Sequence, residues 1–490
     1  MHFSIPYTVE ESTGTNSYTG YNIYINGSYH CCLRYKQMHA FHEQLRRRCS
    51  ELNIQLPAFP PKRLLPLTNG QLETRRAALE HYLQLIGQDV RVSKLDIFQN
   101  FLLNAQQETA AAESILEDFG DVTQETTQEV ILMNGYQLQV NCHIGDNSGI
   151  LLEKVCQSIH LPLHLVPYFC LFLMRKDAKD TVVLLRRLMD FESPFLSRLQ
   201  AKPCQILLRK SYWNPIYDMN LLQDSVALNL LFIQTVSDVD REWIIAVPEI
   251  RQKLRNLQEH GFKKEYLEMA RQLPLYGCLQ FSAAMIDYPD PQTSALISIG
   301  NKELSMRTVR GAKIYETKFR VTRMRCWRVT AMHNSLESKD NPSSLQLSFE
   351  YLMSKQTLRW ITITSAQTML MSVCLQSMVD ELLNFKDSNQ LDTKSNNSTN
   401  YTNSPPPSYD SRNARISQSS YSLSNEQSSN TSTSSSTSSP TAPVKFIATQ
   451  RRTKHNPKIS TAHSYSAVFF RNAEESVHNE AFEGIGDDDL

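Results

Sequence analysis

The chain changes character at Lys386. From there to about Val444 it is Ser, Thr, Asn and Pro with almost no large aliphatic residue, including the run NTSTSSSTSSP. Such a stretch cannot bury enough apolar surface to offset the entropy of ordering it, so it predicts a disordered tail. A packed core must therefore come from the first 386 residues. Only the very end, HNEAFEGIGDDDL, regains large apolar groups, and it does so beside acids. A short apolar-acidic patch behind a long leash reads as a docking motif.

Several function classes drop out on composition. Of 490 residues, 41% are hydrophobic and 20% charged, enough for about three domains. Lys+Arg and Asp+Glu are both 50, and this zero balance argues against a bulk nucleic-acid binder. Ten cysteines without a CxxC pair or a Cys/His ladder predict reduced, packed thiols in a cytosolic chain, with no metal. The first residues lack a secretory signal. The most apolar stretch, Ile159 to Met174, is broken by His160, Pro162, His164 and Pro167 and is too short to span a bilayer. No GxGxxG, P-loop, HExxH or GxSxG occurs, so neither catalysis nor a cofactor is expected.

Two blocks precede the tail. In residues 1–105, NIYINGSYHCCLRY carries an Asn26-Gly27 hairpin signal. A helix follows, with Met38, Phe41, Leu45, Cys49 and Leu52 at helical spacing. The loop LPAFPPKRL and a second helix through Leu79, Tyr82 and Ile86 complete an α+β domain. From Glu125 a second hairpin signal, Asn134-Gly135, opens a strand, strand, helix, strands order like a ubiquitin-like grasp. Residues 217–272 read as helices. Strands return from Gly277, and a helix from Ala366 to Phe385 closes a PTB- or PH-like barrel.

The first block carries eleven Lys and Arg against eight Asp and Glu. Arg34-Tyr35 ends a strand, Lys62 follows a rigid proline loop, and Arg75-Arg76 lie early in a helix. Cations converging beside an aromatic ring suit a phosphorylated inositol, because Arg gives bidentate bonds to phosphate and Lys a point charge. From composition alone, ordinary solvated charge is the favoured reading of the same residues. Arg46, Arg47 and Arg48 read as a solvated helix face.

Taken in order, the strand-end RY, the loop PAFPPK and RRAALEHYL resemble a phox-homology (PX) domain. The resemblance implies that Arg34 holds the 3-phosphate of phosphatidylinositol 3-phosphate and that Tyr35 supports the inositol ring. It implies that Lys62 reaches the 1-phosphate and Arg75 the ring hydroxyls, with Arg76 the weaker candidate. The second block has the lobe order of a FERM domain, and PX followed by FERM resembles a small group of sorting nexins. RKSYWNPIYD, QTVSDVDREWI, FRVTRMRCWRVT, FEYLMSK and the ending FEGIGDDDL carry that likeness.

The expected architecture is α+β and multidomain. A PX domain spans 1–108 and a linker 109–124. A FERM-like module follows, with ubiquitin-like (125–211), helical (212–273) and PTB/PH-like (274–386) lobes. A disordered Ser/Thr-rich linker (387–475) leads to a docking motif (476–490). The resemblance implies a non-enzymatic cargo adaptor, cytoplasmic and peripheral on early endosomes. It would bind phosphatidylinositol 3-phosphate membranes and NPxY/NxxY motifs in receptor tails of the low-density-lipoprotein-receptor and integrin kind. Trp327, Val379 and Leu383 would line the peptide groove by strand addition. Asp487, Asp488, Asp489 and Leu490 would dock the retriever/Commander recycling complex. A FERM-type membrane–cytoskeleton linker is the alternative.

Three further strings stand out. Asn214-Pro215-Ile216-Tyr217 is an internal NPxY that reads as a packed turn. Pro406-Pro407-Ser408-Tyr409 would suit a WW domain. Val477, Asn479 and Phe482 fit Φ-x-N-x-x-[YF], the pattern expected of a groove ligand. That predicts a tail able to occupy the chain's own groove and mask its terminal docking motif.

Overall fold

The computed structural model describes all residues except 14–15, 64–66, 178–180, 202, 312, 333–343, 356, 393–475 and 484–490. Pro406–Tyr409 and the acidic end, Asp487, Asp488, Asp489 and Leu490, lie outside the described residues.

The first domain pairs β1 (Phe3–Ser4), β2 (Thr8–Thr13), β3 (Asn16–Ile25) and β4 (Ser28–Arg34) into an antiparallel sheet with β3 at its centre. Asn26 (φ 49°) and Gly27 (φ 76°) both take left-handed backbone, as a primed two-residue turn between β3 and β4 requires. Helices α1 (Tyr35–Glu51), α2 (Asn69–Gln88), α3 (Val90–Ser93) and α4 (Asp96–Ala112) cover the sheet. Thr68 and Gln71 form a reciprocal capping box that starts α2. Met38, Phe41, Leu45 and Cys49 point inward from α1, but Leu52, just past its end, is exposed.

The second unit orders β6 (Gln137–His143), β5 (Glu125–Ile131), β9 (Gln205–Lys210), β7 (Phe169–Lys176) and β8 (Val182–Arg187). Its one parallel pair, β5 with β9, makes it a ubiquitin-like grasp around α5 (Ser148–Ser158), with α6 (Pro194–Gln200) entering β9. Helices α7 (Asp218–Leu221), α8 (Ser225–Asp240), α9 (Pro248–Glu259) and α10 (Lys263–Ala270) follow. Grasp and helices share one core. They are also joined by ions: Arg209 forks onto Asp238 at 3.2 and 3.1 Å, both buried. Buried Asp218 accepts from Tyr212 (2.5 Å) and Tyr276 (2.8 Å).

The third lobe runs through β10 (Leu279–Gln280), β11 (Ala284–Ile286), β12 (Thr293–Gly300), β13 (Glu303–Arg310), β14 (Lys313–Arg320), β15 (Met324–Met332), β16 (Ser344–Ser354) and β17 (Thr357–Thr364). Its closing helix, α11 (Thr368–Asp392), continues past the compositional break at Lys386. A last strand, β18 (Val477–His478), returns to this sheet.

All ten cysteines are free thiols, and nine are buried. The internal NPxY, read as a packed turn, is a hydrogen-bonded turn with Ile216 exposed: Asn214 Oδ1 accepts from Ile216 N at 3.1 Å, and Glu381 accepts from Trp213 N and Asn214 N at 2.9 and 2.7 Å.

Candidate lipid and peptide sites

Arg34 ends β4 and precedes α1, where Gln37 Oε1 accepts its backbone N–H at 2.9 Å. Its guanidinium lies 3.2 Å above the centroid of Tyr18, whose hydroxyl donates to Glu11. Tyr35 is the joint of the patch. Its hydroxyl donates to Pro60 O at 2.7 Å and so fixes the segment that carries the exposed Lys62. Its ring carries Arg75 of α2, 4.5 Å from the centroid, and Phe59 packs beside it at 5.7 Å. Burial raises the Tyr35 hydroxyl, keeping it a donor. Arg75 also bonds Tyr21, yet its Nη2 is buried without a protein partner among the described residues. Two guanidiniums, one of them with the unused Nη2 donor of Arg75, an exposed ammonium and a ring edge can hold a flat polyol bearing phosphates.

The neighbouring cations are occupied. Arg76 is buried, pairs with Glu73 (2.7 Å) and Glu80 (3.2 Å), and donates to Ile5 O, tying α2 to the amino-terminal strand. Arg46 and Arg48 pair with exposed Glu43 and Glu51 on the helix surface. Tyr18 and Glu11 were not foreseen, because a cross-strand partner of Arg34 leaves no mark in local spacing.

The second site is the edge of β15. Strand β18 pairs antiparallel with it, Trp327 opposite Val477 and Cys326 opposite His478. Beyond β18, Asn479 N donates to Arg325 O at 3.1 Å. Asn479 Nδ2 donates to both Val321 O (2.8 Å) and Met324 O (2.7 Å), and its Oδ1 accepts from Ala481 N (3.0 Å). Phe482 N donates to Asn479 O at 3.1 Å, closing a turn, and Glu483 N donates to Thr322 O. Asn479 and Ala481 are buried, whereas Phe482 is 36% exposed.

Trp327 does not wall this groove from outside. It is fully buried beneath it, in a core that includes Val379, with Val477 and Leu383 packed against that core. Val321 belongs to a 3-10 turn, Val321–Arg323, whose carbonyls Asn479 and Glu483 reach. That turn is the part of the site which sequence reasoning missed. Chemically, the edge offers main-chain pairing, a seat for one amide side chain and an apolar floor.

A cationic patch backed by an aromatic ring on a PX fold and a strand-adding edge on the last of three FERM lobes define a PX–FERM adaptor. Comparisons with known proteins agree lobe by lobe. Residues 21–105 match the PX domain family, and 126–213 match the F1 lobe of the sorting nexin 17/27/31 FERM domain. Residues 214–274 match the sorting nexin 17/31 F2 lobe, and 277–383 the Sorting Nexin 17 FERM C-terminal domain. Human sorting nexin-17 is 43% identical over 395 residues, covering 78% of this chain and 82% of its own. Zebrafish (Danio rerio) sorting nexin-17 is 42% identical over 395 residues, 78% of this chain and 81% of its own. Human sorting nexin-31 is 32% identical over 390 residues, 78% and 86% respectively. The chain belongs to the sorting nexin-17 family.

It is thus an endosomal sorting adaptor, from a family that is in general non-enzymatic, with a phosphoinositide-binding PX domain and a cargo-motif-binding FERM module. Its association with the endosomal membrane is peripheral, and among the described residues no helix is long and apolar enough to cross one.

Proposed function

We propose that the chain captures receptors bearing NPxY or NxxY tails, of the low-density-lipoprotein-receptor and integrin kind, on early endosomes rich in phosphatidylinositol 3-phosphate. It passes them to retriever/Commander-dependent recycling. The domain limits are those expected above, 1–108 for PX and 125–386 for the three FERM lobes. Arg34 takes the 3-phosphate, Tyr35 backs the ring, Lys62 meets the 1-phosphate, and Arg75 gives its unused Nη2 to a ring hydroxyl. Cargo adds as a strand to β15 above Trp327, with Val379 and Leu383 closing the helix side. The end of the chain, Asp487 to Leu490, docks the recycling complex, and Pro406–Tyr409 is open to a WW domain.

One observation carries the cargo reading: an Asn-x-x-Phe segment, Asn479 to Phe482, satisfies three polar groups with its single amide side chain at the β15 edge. A cargo Asn-x-x-Tyr can make the same bonds. The segment therefore acts as a stand-in ligand through Val477, Asn479 and Phe482, and keeps the docking end engaged until cargo displaces it. Co-flotation with phosphoinositide liposomes carrying a tethered NPxY peptide tests the reading. Arg34→Ala should abolish recovery on bare 3-phosphoinositide liposomes, and removal of Leu490 should disconnect retriever while leaving cargo bound. Recovery that ignores both the lipid and the peptide refutes it.

A further inference from the structure

The amino-terminal strand of the PX domain reaches the floor of the peptide groove. Trp327 is fully buried, so its indole N–H must find an acceptor inside the core. It donates to Ser372 Oγ of α11 at 3.0 Å, and that hydroxyl lies 2.9 Å from His2 Nε2. Burial holds the His2 imidazole down to about 3, hence neutral. Ser372 Oγ accepts from the indole and has one proton and one further acceptor site for His2 Nε2, so the hydroxyl links indole and imidazole in either neutral tautomer.

His2 is itself fixed. Its N–H donates to Asn26 Oδ1 at 2.9 Å, and its carbonyl accepts Asn26 N–H at 2.8 Å. Asn26 and Gly27 form the β3–β4 turn, and that turn is wedged into the FERM module. Asn26 Nδ2 lies 3.5 Å from Met189 Sδ, and a Cβ on Gly27 would meet Met369 of α11 at 3.5 Å. A hairpin turn used only to reverse the chain needs neither contact.

We propose that the PX amino-terminal segment is a positioning element of the peptide groove, His2 acting through Ser372 to fix the Trp327 indole on which the opposing ligand residue packs. This rests on the β15 edge being the cargo site. The cargo site is then built by two domains, and the lipid-binding module is part of the peptide groove as well as its tether. Removing the Ser372 hydroxyl strands a buried indole donor, and the ring turns out of the register that Val477 shares with it.

The test uses the full chain as wild type, Ser372→Ala, Ser372→Thr, His2→Leu, His2→Gln and the double variant His2→Leu/Ser372→Ala. Two ligands are read: a free NxxY peptide by calorimetry, in an Asn479→Ala background, and the chain's own segment 477–483 by hydrogen-exchange protection. Ser372→Ala and His2→Leu should weaken both about five- to twentyfold, whereas Ser372→Thr and His2→Gln, which keep a polar partner, stay within about twofold. The His2→Leu effect should vanish in the Ser372→Ala background. Liposome binding should hold in every variant and the thermal midpoint in Ser372→Thr and His2→Gln, whereas a general structural loss would lower liposome binding along with peptide affinity. Unchanged affinity in both variants, or effects that add independently, overturns the inference. If segment protection follows Ser372 while the Asn479→Ala chain ignores free peptide, the cargo reading falls and His2 positions only the seat of the chain's own segment.

Discussion

Removing the amide of Asn479 should unmask the groove. That side chain makes three hydrogen bonds, one to Val321 O in the turn before β15, one to Met324 O at the start of β15, and one from Ala481 N. At about 1 kcal/mol each, less some rehydration, Asn479→Ala should cost docking about 2–3 kcal/mol, or roughly 30- to 150-fold. The tether supplies the segment at a local concentration on the order of 1 mM. A segment whose own dissociation constant is about 0.1 mM then lowers the apparent affinity of free peptide about elevenfold. Weakened thirtyfold or more, the segment no longer competes. Calorimetry with one NPxY peptide should find Asn479→Ala/Phe482→Ala about tenfold tighter than wild type, and equal to a chain truncated before Ser476. Identical constants for all three chains would refute the competition, whatever the segment does at rest.

Three other outcomes follow from the geometry. Arg34→Ala should lose one charge-assisted phosphate contact, about 1.5–3 kcal/mol, and more than tenfold in liposome affinity with an unchanged melting curve; retained affinity would misplace the headgroup. Trp327→Ala should act first on stability, since a fully buried Trp truncated to Ala costs about 3–5 kcal/mol; a melt unmoved beside lost peptide binding would contradict its burial. Acid should loosen the PX–FERM contact. His2 and His30 are buried between the domains and held down to about 3 and about 4, each mainly by burial, with Glu192 and Arg186 opposing one another at His30. The unfolded chain therefore takes up more protons below about pH 6.5, and stability falls with pH by up to about 1.4 kcal/mol per unit for each histidine. It levels off below their folded values. His2→Gln/His30→Gln should flatten that part of the profile in melts from pH 7 to 5, and an unaltered slope would show that carboxylates dominate.

Legibility in the sequence followed the range of the interactions. Asn26-Gly27 announced its turn because only left-handed backbone closes a two-residue hairpin. The buried stripe of α1 was readable from spacing alone, but the exposure of Leu52 was not, since periodicity does not say where a helix stops. Arg75 and Arg76 look alike in the string. One turns toward Tyr35 and the other into Glu73, Glu80 and the backbone of Ile5, a difference of one helical step set by a strand seventy residues away. Likewise Trp327 was found by its strand and its resemblance, while its burial depends on α11 and its anchoring on His2, both remote in sequence. Short-range chemistry showed in the string; whatever was fixed by contacts between domains did not.

Competition at the β15 edge also bears on why such a chain joins two modules. A tethered segment at about 1 mM excludes any dilute soluble peptide of similar strength. It yields to a ligand whose local concentration, relative to its dissociation constant, exceeds the segment's own ratio, and confinement to the same membrane raises that concentration. The PX patch brings the chain to the bilayer, and a receptor tail emerging there is concentrated in a thin layer, whereas a cytosolic protein with the same motif is not. The tail segment adds charge to this contest. Burial raises the Asp380 carboxyl on α11, and Glu480 of the docked segment pushes in the same direction, so self-docking carries a repulsion that a cargo with a neutral residue after its Asn avoids. Under the proposed function, the segment fits the groove at the expense of this repulsion, and lipid binding is the step that would let cargo displace it.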